Sequence, residues 1–142
     1  MPRPRRPSNA GREPAPLKFP PVGVLADAYA RVLEIALQLP GVEDTRAYGT
    51  PCIKVRGKVL ARLRTEAEGG LALRCDLLER HMLLQADPRA FYLTPHYQDW
   101  PMVLVNLMEV RWDAMPGLVE AAWRLVAPPR LVREYDAGRG TQ

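Results

Sequence analysis

A single α+β domain, an antiparallel sheet of about five strands with helices packed on it, is the fold this sequence predicts. Three observations carry the prediction. Apolar residues recur at spacings of three and four near both ends of the chain, in Leu25 to Leu39 and in Leu118 to Val126. Between them lie short alternating segments separated by glycines, the pattern of a hairpin meander. Helices and strands do not alternate one for one, as a doubly wound parallel sheet would require. At 142 residues the chain suffices for one core of ordinary size.

The elements follow in the order α-β-β-β-α-β-β-α. Leu25, Tyr29, Val32, Ala36 and Leu39 share a helical face, preceded by Pro20-Pro21 and ended by Pro40-Gly41. Cys52 to Arg56, Lys58 to Arg64 and Leu71 to Cys75 read as strands separated by Gly57 and by Glu68-Gly69-Gly70. Asp76 followed three positions later by Glu79 is a capping pair for a helix from Leu77 to Ala86, which Asp87-Pro88 stops. Strands at Ala90 to Leu93 and Met102 to Val110 come next. Asp113 is expected to cap a last helix that Pro128-Pro129 closes. The domain is taken as residues 19–135, with tails at 1–18 and 136–142.

Charge is concentrated at one end. Arg3, Arg5, Arg6, Arg12 and Lys18 stand against Glu13, and they account for the whole formal charge of +4. The body is neutral, so the high isoelectric point reports a Pro- and Arg-rich tail that is expected to be mobile. No apolar run reaches the length of a membrane span, and Met102 to Met108 is short and broken by Asn106. Two cysteines, Cys52 and Cys75, form no CxxC pattern. These features point to a cytoplasmic protein without membrane attachment, disulfide framework or cofactor.

Several segments in order resemble the MmcQ/YjbR-like family of small bacterial proteins: Leu39-Pro40-Gly41-Val42-Glu43, Tyr48-Gly49-Thr50-Pro51 with Ile53-Lys54-Val55 and Gly57-Lys58, the stretch Phe91 to Tyr97, and Ala122-Trp123-Arg124-Leu125-Val126. The resemblance covers roughly residues 25 to 135. It implies a compact α+β domain with a DNA-binding-like shape, like the DNA-binding domain of a phage transcription activator, and no shared catalytic motif. Pro128-Pro129-Arg130 departs from the family pattern, where further cations are usual.

Strand alternation places Lys54 and Arg56 opposite Ile53 and Val55, Arg62 and Arg64 opposite Val59, Ala61 and Leu63, and Arg74 opposite Leu71 and Leu73. Their sharing one face depends on the turn at Gly57: a two-residue turn puts Arg62 on the side of Ile53, an odd-length turn aligns the apolar sets. The leading functional expectation is a nucleic-acid-binding module, with Lys54, Arg62, Arg64 and Arg74 on phosphates. In it Phe91 to Trp100 contains a recognition loop of His96, Tyr97 and Trp100, its rings available for stacking. A solvated sheet face balanced by Glu66, Glu68 and Asp76 is the plain alternative. The functional alternative is a small-molecule or protein-binding module, or less favoured a hydrolase, using a cleft between Tyr48, Thr50 and Pro51 on one side and Pro95 to Trp100 on the other.

Catalytic and metal patterns are weak. Cys52 beside Lys54 and Arg56 has cations that favour a thiolate, and His96 with Asp99 pairs a base with an orienter, yet nothing in the sequence joins them. Cys52, Cys75, His81 and His96 have no zinc-type spacing. Asp27 and Glu34 are too sparse for the iron-binding ridge that a loose likeness to frataxin would need. The expectation is a protein without catalytic residues or metal. Phe91, Leu93 and Trp123 are expected in the core, and Tyr97 and Trp100 partly exposed.

Overall fold

The computed structural model describes residues 17–18, 20–65 and 69–140. The expected tail therefore lies outside the described residues except for Leu17 and Lys18, and so do the expected counter-charges Glu66 and Glu68. The chain forms α1 (Gly23–Ala36), β1 (Val42–Ala47), β2 (Thr50–Val55), β3 (Lys58–Leu63), β4 (Leu71–Arg74), α2 (Leu77–Ala86), β5 (Phe91–Tyr92), β6 (Met102–Val105), α3 (Met115–Val126) and α4 (Pro129–Gly140). Short 3₁₀ turns occupy Pro95–Tyr97 and Trp112–Ala114. All strands join one antiparallel sheet in the order β1-β2-β3-β4-β6-β5.

Among the described residues the expected α+β architecture is present with one more strand and one more helix. β1 is polar, with Glu43, Asp44, Thr45 and Arg46 at its centre, because it is an edge strand with little to bury. Tyr48 and Gly49, both at positive φ (55° and 77°), turn it back so that Ala47 faces Thr50. The extra helix α4 begins at Pro129: the proline that ends α3 also serves as a first helical residue, where a missing N–H costs nothing. Residues 136–140, expected as a tail, continue this helix.

The turn at Gly57 combines both expected geometries. Arg56 and Gly57, at φ 50° and 84°, make a two-residue turn in which Val55 faces Lys58 and Lys54 faces Val59. The register then shifts, leaving Leu60 as an extra residue, and resumes with Ile53 opposite Ala61 and Cys52 opposite Arg62. The bulge sends both Leu60 and Ala61 into the core and restores Arg62 to the face opposite Ile53.

One strand end and one helix start also differ from expectation. The last strand stops at Val105 because the Asn106 side-chain oxygen accepts from the Met108 N–H at 3.0 Å, bending the chain. Asp113 caps nothing; its carboxylate pairs with Arg111 at 3.2 Å, and α3 starts at Met115 with Pro116 in its first turn. Asp76 does cap α2, accepting from the Glu79 N–H at 2.9 Å.

The main core lies on the face covered by α1 and α3. Val32 and Ala36 of α1, Val119, Ala122 and Trp123 of α3, and Ile53, Leu60, Leu63, Leu71, Val103 and Val105 of the sheet close together there. Trp123, fully buried, donates from Nε1 to the Pro40 carbonyl oxygen at 2.9 Å, fastening the end of the first helical segment to α3. The opposite sheet face carries a smaller cluster, Ala72, Tyr97, Met102 and Leu104, beneath residues 93–101. No helix among the described residues is long and apolar enough to cross a membrane.

Candidate functional site

The second sheet face is half covered by a segment that the sequence itself stiffens. Thr94 is extended, as its proline neighbour requires, Pro95 to Tyr97 turn tightly, and Trp100-Pro101 leads into β6. What holds this segment down is Arg80 of α2. Its Nη1 donates to the carbonyl oxygens of Tyr97 (3.3 Å), Trp100 (2.7 Å) and Met102 (3.1 Å), and its Nη2 to that of Gln98 (3.0 Å). A buried guanidinium thus satisfies a run of carbonyls that the turning backbone leaves without ladder partners. Sequence reasoning missed Arg80, since its partners are backbone atoms far along the chain and no side-chain motif marks it.

Between this segment and the β1–β2 turn lies a cleft of about 510 Å³, lined by Ala47, Tyr48, Val59, Arg62, Ala72, Arg74, His96, Tyr97, Trp100 and Met102. Tyr48, carried on its tight turn, is 86% exposed, and Trp100 is 57% exposed. Tyr97 has the opposite disposition from that expected. Its ring is buried over Ala72, Met102 and Leu104, and its hydroxyl accepts from Arg62 Nη2 at 3.3 Å. His96 meets the Tyr97 ring edge-on, with centroids 4.9 Å apart. Phe91 and Trp123 are buried as expected, and Leu93 packs partly buried against the smaller cluster.

The four expected cations separate. Arg62 is central: Nη1 donates to Thr50 Oγ1 at 2.9 Å, and its guanidinium carbon lies 5.4 Å from the centre of the Tyr48 ring. Thr50, expected to line the cleft, is fully buried and relays between the Ala47 carbonyl, to which it donates at 2.9 Å, and Arg62. Arg74 is held by Nε and Nη2 on the Val59 carbonyl oxygen at 3.1 and 2.9 Å. Burial draws its pKa below the usual guanidinium range. Both guanidinium groups retain N–H donors beyond these bonds. Arg64 is buried, donates to the Gly69 carbonyl at 3.1 Å, and lies 5.4 Å from the Tyr97 ring centre. Lys54 does not line the cleft and sits across the β1–β2 ladder from Glu43.

The residues with nucleophilic chemistry are disposed differently. Cys52 is fully buried, and burial pushes its thiol up although Lys54 and Arg62 pull the other way. The lowered thiol pKa considered from its cationic neighbours is overturned, since desolvation of the thiolate outweighs two partly solvated charges. Cys75, also buried, is pushed up to about 12 by burial, with Glu79 and Asp76 adding to the shift and Arg80 opposing it. Among the described residues no hydrogen bond joins His96 to Asp99, and no group of three His, Cys, Asp or Glu side chains is placed to hold a metal ion.

An antiparallel sheet with helices on one face and an aromatic, arginine-floored cleft on the other defines a small α+β domain with an open cleft on its second face. The family model described as YjbR matches residues 37–125, from the end of α1 to the last turns of α3, and so includes every cleft residue. The chain belongs to the YjbR family. Its relatives include an uncharacterized protein of Mycobacterium bovis and uncharacterized proteins of two strains of Mycobacterium tuberculosis, each 34% identical over 58 residues. The match covers 41% of this chain and 45% of each relative, so the chain spans less than half the length of the curated relatives it matches. No solved structure matches the chain at a significant level.

Proposed function

We propose that this domain is a binding module whose cleft holds a planar, negatively charged ligand of the nucleotide kind, free or as an unpaired unit of single-stranded nucleic acid. The observation that carries the reading is the company Arg62 and Arg74 keep. They line the same cleft as Tyr48, His96, Tyr97 and Trp100, and no carboxylate is among the described residues that line it. Guanidinium groups attract phosphate, and exposed rings offer stacking worth about 1–3 kcal/mol per base. A cleft of this size lies within the ordinary range for small-molecule sites. Binding rather than catalysis is favoured because both thiols are buried and shifted toward the protonated form.

A duplex lying along a track of Lys54, Arg62, Arg64 and Arg74 has less support. Residues 93–101 stand on that face and Arg64 is buried within it.

Anisotropy titrations with labelled single-stranded and duplex DNA, and competition by mononucleotides, across about 50–200 mM salt, test the reading. Tyr48 and Trp100 are exposed, so a Tyr48→Ala, Trp100→Ala double variant is expected to keep the fold. It is expected to bind single strands and mononucleotides at least about tenfold more weakly. Affinity unchanged in that variant refutes the cleft as the site.

A further inference from the structure

Arg74 lines a second cavity as well. It has a volume of about 480 Å³ and is bounded by Lys58, Cys75, Asp76, Pro101, Leu125 and Val126 together with Arg74. Trp100 lines the first cleft and Pro101, the next residue, lines the second, so the two cavities lie on either side of this corner. Arg74 bounds both, its guanidinium pinned by two bonds to Val59. Among its described lining residues the second cavity has one further cation, Lys58, exposed at the start of β3, and an apolar wall in Leu125, which is 49% exposed. Its carboxylate, Asp76, is engaged as the cap of α2.

We propose that the binding site is longer than one nucleotide unit and takes a single strand of at least two, with Arg74 at the linking phosphate. The first base stacks on Tyr48 and Trp100, and the next unit occupies the second cavity with Lys58 on its phosphate. A free mononucleotide engages the first cleft alone. This inference rests on the cleft reading above and selects the strand over the free nucleotide. The physical reason is the fixed position of Arg74: a cation immobilised where two cavities meet suits a charge that joins two units.

Calorimetric titration of the full chain with thymidine monophosphate and with thymidine oligonucleotides of two, three and four units tests it. The oligonucleotides are expected to bind at least about tenfold more tightly than the monophosphate, with the gain complete by the trinucleotide. Lys58→Gln, at the exposed first position of β3, is expected to remove much of that gain and leave monophosphate affinity unchanged. It also lowers the salt slope of the oligonucleotide by about 0.7, the share of one single-strand phosphate. Affinity that is flat with length, or a gain indifferent to Lys58→Gln, overturns the two-unit site while monophosphate binding sensitive to Tyr48→Ala, Trp100→Ala still upholds the cleft. Oligonucleotide binding indifferent to that double variant overturns both.

Discussion

Arg80 Nη1 donates to the carbonyl oxygen of Trp100 at 2.7 Å, and through this bond a helix on one side of the segment sets the position of an exposed ring on it. The same guanidinium serves the carbonyls of Tyr97, Gln98 and Met102. A cation spread over several backbone oxygens fixes a turn that has no strand partner of its own.

Replacing Arg80 by Met keeps much of the side-chain volume and removes every donor. Carbonyls left in a partly dry site are expected to cost about 2–4 kcal/mol of stability, read from the midpoint of urea unfolding. Lysine cannot reach the same set of oxygens with its compact ammonium, so Arg80→Lys is expected to recover only part of the loss. If Arg80→Met unfolds at the wild-type midpoint, the clamp contributes nothing.

Two glycines separate conformational strain from collision. Gly57 and Gly70 both have positive φ, 84° and 82°. A Cβ on Gly57 meets nothing within 4 Å, whereas on Gly70 it runs into the Tyr92 hydroxyl. Gly57→Ala is therefore expected to cost about 1–2 kcal/mol, the backbone term alone, and Gly70→Ala to cost more. Adding Tyr92→Phe to Gly70→Ala removes the hydroxyl and should narrow the gap. Equal losses in the two single variants would show that Tyr92 simply moves aside.

Alkaline pH is expected to destabilise the fold through its thiols. Cys75 ionises near 9 as an ordinary thiol and at about 12 in the folded chain. The contribution is fully present below about pH 9, because both states are then protonated. Above it the unfolded chain releases the proton first, and stability falls by about 1.4 kcal/mol per pH unit as pH rises toward 12. Cys52, also shifted upward, acts in the same direction. Cys75→Ala is expected to flatten the decline between about pH 9 and 11 in urea midpoints, and a decline as steep as in the wild type would assign it to other groups.

Trp123 is the heaviest single contribution to the main core. Fully buried and bonded to Pro40, it ties α3 to the chain just after α1. Trp123→Ala is expected to cost about 3–5 kcal/mol. Trp123→Phe retains most of the ring packing but loses the Nε1 bond, so it should fall well short of that loss in thermal or urea unfolding. Equal effects of the two variants would mean that the bond to Pro40, rather than packing, dominates.

Local chemistry determined much of this protein. The spacing in α1 and α3, the cap at Asp76, the glycine turns and the two prolines around Thr94 and Trp100 act within a few residues, so their consequences are legible in the sequence. The same holds for the presence of an aromatic segment and of arginines on alternating strand positions. Only the tertiary structure decided which of these meet. Arg62 returns to the face opposite Ile53 because a bulge at Leu60 offsets the two-residue turn, and a bulge depends on how two strands pair and what their faces bury. Tyr97 turns inward because Ala72, Met102 and Leu104 offer it an apolar floor and Arg62 a donor for its hydroxyl. Arg80 finds its carbonyls 17 to 22 positions along the chain. Alternation assigns a residue to a face, but burial, desolvation and long-range hydrogen bonding depend on neighbours that only the folded chain assembles.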